Sequence, residues 1–166
     1  MASSPETLFA YLDELGLAHT TVEHPAFHTV EEGRDLKKSL PGGHTKNLFM
    51  KDKDGTIILI SALADSALKL NRLHKQIGTR RLSFASAELM EETLGVRPGS
   101  VTAFALMNDT DQRVRFIADA ALMACDPLNF HPLVNTATTA VSRADFERFI
   151  AATGHDMTVI DFAAMD

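Results

Sequence analysis

The sequence predicts an α+β fold built around a mixed or mostly antiparallel sheet, with one domain spanning residues 1–166. Three observations carry that reading. Helix-like and strand-like segments are interleaved without the regular βαβ alternation of a doubly wound sheet. Lys46–Met50 and Thr56–Ile60 flank Asp52-Lys53-Asp54-Gly55, the signature of an antiparallel hairpin with an Asp-Gly turn. A chain of 166 residues, 45% hydrophobic, is the size and composition of a single domain with a real core.

In chain order, Ser4 is the candidate cap of a first helix. Pro5 sits at its first position, where a missing N–H costs nothing. Leu8, Phe9, Leu12 and Leu15 form the apolar stripe of that helix, and Gly16 ends it. A short strand is expected over 20–23. Thr29-Val30-Glu31-Glu32 has a capping-box pattern opening a short helix near 36–40. Pro41-Gly42-Gly43 is a loop before the hairpin. The second hairpin strand is apolar almost throughout, so both of its faces should be buried. Ala67–Ile77 reads as a basic amphipathic helix stopped by Gly78, followed by a strand over 81–84. Ser86 caps a helix ending at Leu94-Gly95. Val101–Met107 and Arg113–Ile117 read as a strand pair. Phe130-His131-Pro132 lies in an extended segment, Ser142 caps the last helix, and Met157–Phe162 is a final strand.

Charge is unevenly distributed. The whole chain carries −6, yet residues 34–81 hold eleven Lys or Arg against four acids, a net of +7. Lys69 to Arg81 contains five basic residues and no acid. A basic segment in an acidic protein points to a face built for a polyanion. No apolar run approaches the roughly 20 residues that cross a bilayer. The opening Met-Ala-Ser-Ser-Pro-Glu has neither the basic flank nor the apolar stretch of a signal peptide, so a cytoplasmic location is expected. The one cysteine, Cys125, excludes an intramolecular disulfide and a thiolate cluster; in its apolar setting it reads as a small buried hydrophobe.

Phosphate-binding P-loops, nucleophile elbows and the His-Glu-x-x-His zinc motif are all missing from the sequence. His24 and His28 have metal-ligand spacing, but Pro25 breaks any helix between them. Neither a metal nor an organic cofactor is expected. Three features could carry chemistry. Lys46 follows a glycine-rich loop at a strand mouth, where an ammonium can reach a phosphate or a carbonyl oxygen, although its spacing alone equally suits an ordinary surface lysine at a strand edge. Pro98-Gly99-Ser100 could present backbone N–H groups to an oxyanion, or be a plain turn. His131 stands between Phe130 and Pro132, a setting that equally suits a core histidine.

Taken together and in order, Lys46-Asn47-Leu48-Phe49, Gly95-Val96-Arg97-Pro98-Gly99-Ser100-Val101-Thr102, Asn108-Asp109 and Phe130 to Thr139 resemble the YbaK/prolyl-tRNA editing-domain family, nearest to its free-standing alanyl-tRNA(Pro) deacylase branch. The likeness covers nearly the whole chain. It implies an α+β fold with a mixed, partly barrel-like sheet, and hydrolysis of the ester joining alanine to the 3′ end of proline tRNA. It implies Lys46 as the key functional residue, Gly99 as the loop glycine and His131 beside a small amino-acid pocket. The family loop usually ends in proline, where this chain has Ala103.

An aminoacyl ester is already activated, so an oriented water, oxyanion support and phosphate anchoring suffice for its hydrolysis. In this reading Lys46, with Asn47 beside it, holds the terminal phosphate or the ester. The Gly99 and Ser100 N–H groups support the oxyanion, and His131 walls the pocket. Lys51, Arg80 and Arg81 meet the acceptor stem through its phosphates. The substrate is a mischarged tRNA, and prolyl-tRNA synthetase is a second partner the resemblance admits; neither membrane nor DNA is expected. Two alternatives stand beside it: a deacylase for cysteine or serine, and a non-catalytic tRNA-binding module.

Overall fold

The structure, a computed structural model, describes residues 4–26 and 30–165. Helix α1 (Pro5–Glu14) starts where Ser4 Oγ accepts the Thr7 N–H at 3.3 Å. It buries Leu8 and Leu12 and stops before Gly16, which adopts φ +73°. Strand β1 (Thr20–Glu23) follows, then α2 (Val30–Ser39), β2 (Gly43–Lys51) and β3 (Ile57–Leu63). Helix α2 begins before the expected 36–40, and its presumed cap Thr29 lies outside the described residues. Helix α3 (Leu70–Ile77) closes on Gly78 in the left-handed region. After the two-residue strand β4 (Ser83–Phe84), Ser86 Oγ caps α4 (Ala87–Leu94). The remaining elements are β5 (Val114–Asp119), α5 (Ala120–Met123), β6 (Leu128–Phe130), β7 (Ala137–Val141), α6 (Arg143–Ala152) and β8 (Met157–Ile160).

One expected strand is a helix. Residues Ala103–Asn108 form a 3₁₀ helix capped by Thr102, whose hydroxyl accepts the Phe104 N–H. Val101–Met107 is apolar without a strand's alternation, and a fully buried run reads the same way in a strand and in a helix. Ala103 to Leu106 are all buried, so burial on every side explains the run. Ala103 takes the first position of this helix, where the proline usual in the family would also fit the backbone.

The strands run in the order β1-β7-β6-β2-β3-β5-β8, with β4 also on β2. Pairs β1–β7, β6–β7, β2–β3 and β2–β4 are antiparallel; β2–β6, β3–β5 and β5–β8 are parallel. The sheet is therefore mixed, and it stays open: among the described residues β1 and β8 do not pair, so the barrel-like closure is not present. β3 lies inside the sheet and has both faces covered, as its unbroken apolar sequence requires. One face, through Phe49, Leu59, Phe116 and Phe130, packs on α1, α4, α6 and the 3₁₀ helix. The other, through Met50, Ile58, Ile60 and Ile117, packs on Leu73 and Ile77 of α3 and on Phe162. Among the described residues no helix is long and apolar enough to cross a membrane.

Candidate active site

Lys46 lies in the middle of β2, paired with Ala62 of β3. Side chains alternate along a strand, so Lys46 shares a face with Leu48 and Met50, the face that α3 covers. It is half-buried, and its Nζ donates to the Ser66 carbonyl. That oxygen is placed by the turn after β3, where Ala64 N–H bonds His44 O (2.8 Å) and Ser66 N–H bonds Leu63 O (2.9 Å). Asp119, fully buried, fixes the start of this turn by accepting the Leu63 N–H at 3.1 Å. An ammonium has three protons; the Ser66 bond uses one and leaves two for a ligand.

The outer edge of β2 has a notch at this point. β6 pairs with residues 43–44 of that edge and β4 with residues 50–51, leaving the segment between them without a strand partner. Bonds from Gly43 N–H to Pro127 O and from Ala85 N–H to Phe49 O show that odd-numbered residues turn their backbone groups outward. The N–H and C=O of Asn47 therefore point into the notch. Its side chain lies on the opposite face from Lys46, accepting from Ser61 Oγ and donating to Thr45 Oγ1 at 3.3 Å. Asn47 thus braces the hairpin with its amide and turns its backbone groups to the notch.

His131 follows β6 directly. Continuing the parallel register of β6 on β2 by two residues brings position 131 level with position 46. Phe130 turns into the main core, so position 131 falls on the Lys46 face. The His131 Nδ1–H donates to Ala137 O at 3.1 Å, which leaves Nε2 as an acceptor in the neutral ring. Burial pushes its pKa below the usual histidine value, the Ala137 carbonyl opposes that, and the nearby His24 adds to it. The His24 ring lies 6.5 Å away, its Nε2 paired with Thr138 Oγ1 at 2.9 Å. The turn between β6 and β7 holds Leu133 at φ +69°, a conformation a leucine rarely adopts and one that recurs at functional sites.

Gly99 reaches the same turn. A Cβ built on it would lie 3.5 Å from Asn135 Nδ2, and its φ of +92° is left-handed. Arg97-Pro98-Gly99-Ser100 is a closed turn in which Ser100 N–H bonds Arg97 O at 3.0 Å. The Ser100 N–H expected at the oxyanion is therefore already engaged, whereas the Gly99 N–H has no protein acceptor among the described residues. Among the described residues, one groove of about 610 Å³ lies beside His24, Pro132 and Ala137, and another of about 670 Å³ lies between α3 and β8. Lys46 lines neither of these two grooves.

Lys51, Arg80 and Arg81 gather at the hairpin end of β2. Asp52 organises this end: its carboxylate accepts N–H groups from Thr56 (2.8 Å), Asp54 (3.0 Å) and Arg80 (3.0 Å). Burial alone would raise its pKa, but these donors hold the carboxyl below its ordinary value. Arg80 also lies 3.5 Å from exposed Asp54, while Lys51 and Arg81 are exposed without an ion-pair partner among the described residues. The Asn108-Asp109 motif is structural: Asn108 bonds Leu94 O, and buried Asp109 accepts Arg113 N–H, Val114 N–H and His155 Nε2–H. Sequence reasoning missed His24, Ser66 and Asp119, which only tertiary contacts bring to the site. No group of three His, Cys, Asp or Glu with the geometry of a metal site occurs among the described residues.

Known proteins resemble this chain over nearly its whole length. The chain is 38% identical over 162 residues to a prolyl-tRNA synthetase associated domain-containing protein 1 of Xenopus laevis, covering 95% of this chain and 96% of that one. It is 31% identical over 157 residues to the prolyl-tRNA editing protein ProX of Acetoanaerobium sticklandii, covering 94% and 96%. A solved structure described as a candidate trans-editing enzyme for prolyl tRNA synthetase superposes with a TM-score of 0.70 at 19% identity over 97% of both chains, a likeness of fold. The aminoacyl-tRNA editing domain model matches residues 24–149, a span holding Lys46, the Gly99 turn and His131, and the chain belongs to that family.

Proposed function

We propose that this protein is a trans-editing hydrolase that removes alanine from mischarged proline tRNA. Membership of the aminoacyl-tRNA editing family makes it an aminoacyl-tRNA deacylase. The observation that carries the reading is Lys46, held by Ser66 O beside a strand-edge notch with two protons to spare. In the proposed complex the ammonium holds the terminal phosphate or ester region of the substrate. The Gly99 N–H supports the developing oxyanion, and a water polarised by the adjacent ribose hydroxyl attacks the ester carbon. The C–O bond to the ribose then breaks, releasing alanine and free tRNA. Preorganised donors are worth most where charge develops, and an activated ester needs no serine or cysteine nucleophile. Lys51, Arg80 and Arg81 meet acceptor-stem phosphates. The reading places the protein in the cytoplasm, with prolyl-tRNA synthetase as a second partner.

The deciding experiment is a deacylation panel on proline tRNA charged with alanine, cysteine, serine or proline. Preferential loss of alanine is expected. Preference for cysteine or serine would replace the assigned amino acid, and no hydrolysis of any ester would end the catalytic reading.

A further inference from the structure

Phe84 is 64% exposed, the most exposed large hydrophobic side chain among the described residues. It belongs to neither core cluster. It occupies the short edge strand β4 opposite Met50, and directly opposed residues present their side chains to the same face of a sheet. Met50, Leu48 and Lys46 share that face, so Phe84 stands on the side of the sheet that Lys46 faces. Met50 lies four residue steps along the strand from Lys46, a distance of about 13 Å. The notch in the edge of β2 lies between the two positions.

The surroundings are cationic. Lys51 ends the strand opposite, Lys53 is in the hairpin turn, and Arg80 and Arg81 lead into β4. The acids here are occupied: Asp52 is buried on backbone N–H groups and Asp54 faces Arg80. Lys51, Lys53 and Arg81 have no ion-pair partner among the described residues. An exposed aromatic ring framed by unpaired cations is the arrangement that binds single-stranded nucleic acid: rings take base faces and cations take phosphates.

Building on the proposed deacylase, we infer that Phe84 is a stacking platform for an unpaired base near the 3′ end of the substrate tRNA, upstream of the terminal adenosine held at Lys46. The 13 Å separation excludes the terminal base itself and leaves room for the chain between to cross the notch. Phe84 then sets how the acceptor end enters, as a binding residue remote from the reacting ester.

The chain has no tryptophan, so Phe84→Trp installs a single indole at the proposed contact. Wild-type hydrolysis of alanyl-tRNA(Pro) is measured first; its absence refutes the underlying function, whereas the tests below address the platform alone. Uncharged proline tRNA should quench the Phe84→Trp emission, and heparin at matched charge should not. Phe84→Ala should raise KM by roughly 5- to 150-fold, the range for loss of one stacked base, with kcat little changed. Phe84→Tyr should restore KM, and Phe84→Leu, apolar but without a π face, should not. Unchanged KM in a folded Phe84→Ala protein overturns the proposal, as does quenching by heparin equal to that by tRNA. Rescue by leucine overturns it too and assigns the patch to apolar contact, as with a protein partner.

Discussion

Replacing Lys46 tests the catalytic reading most directly. In Lys46→Met the aliphatic stem is kept and the ammonium is lost. Two effects follow, of different size. The Ser66 carbonyl loses its donor, but Ser66 is half-buried and water can replace the bond, so stability falls by about 1 kcal/mol. In a domain of this size that lowers Tm by roughly 2–4 °C. The transition state loses a preorganised charged donor, which costs about 2.7–4 kcal/mol, or 10²–10³ in kcat. The assay is single-turnover deacylation of alanyl-tRNA(Pro) beside a thermal melt of the same preparation. Lys46→Arg keeps the charge but presents a planar fork in place of a compact ammonium and should recover only part of the rate. Wild-type turnover by folded Lys46→Met would refute the argument, and so would a rate loss matched by collapse of the fold.

Four further outcomes are expected. Reversing Arg80 and Arg81 to Glu should weaken tRNA binding and reduce the slope of log K against log salt by about 2 if both contact phosphates; the fold should hold, because Asp52 takes the Arg80 backbone N–H. Activity should survive exhaustive chelation, and loss restored by zinc would reveal a metal. His131→Ala should raise the rate on prolyl- relative to alanyl-tRNA, each methylene of relaxed exclusion being worth about 1–3 kcal/mol; an unchanged ratio would return His131 to an ordinary packing role. His131 should also make stability pH-dependent. Its folded pKa is lowered, so its contribution is full above about pH 6.5 and is lost as pH falls through the lower folded value, because the unfolded chain takes up the proton first. The Tm gap between wild type and His131→Gln should shift across that window, and a constant gap would argue against a half-buried ring held neutral in the fold.

The parts of the fold legible in the sequence are those decided locally. Ser4, Ser86 and Ser142 each cap the helix their spacing predicts, because a cap is a bond to an N–H three residues on. The Asp52–Gly55 turn and the hairpin follow from the turn's own chemistry. Pairing order is a different matter. β6 joins β2 in parallel across more than eighty residues, and no periodicity encodes which edge a distant strand selects. The 3₁₀ helix at 103–108 was hidden for a related reason: when every side is buried, the apolar pattern loses the phase that separates strand from helix.

The same boundary between local and distant runs through the site. Lys46 was legible as a lysine entering an apolar strand behind a glycine loop, and Gly99 as the glycine a tight turn demands at φ +92°. What turns a surface lysine into a candidate catalytic group is the notch beside it, and the notch exists because β6 and β4 dock on one edge of β2 and stop short of each other. Had either strand been three residues longer, Asn47 would spend its outward N–H and C=O in a ladder, and Lys46 would border a closed sheet. Ser66 and Asp119 belong to the site for the same reason: they fix the turn after β3 that receives the ammonium, from positions 20 and 73 residues away from Lys46 along the chain. Lengthening β4 past Phe49 to Asn47 by design would test this reasoning, since it should abolish deacylation while raising stability.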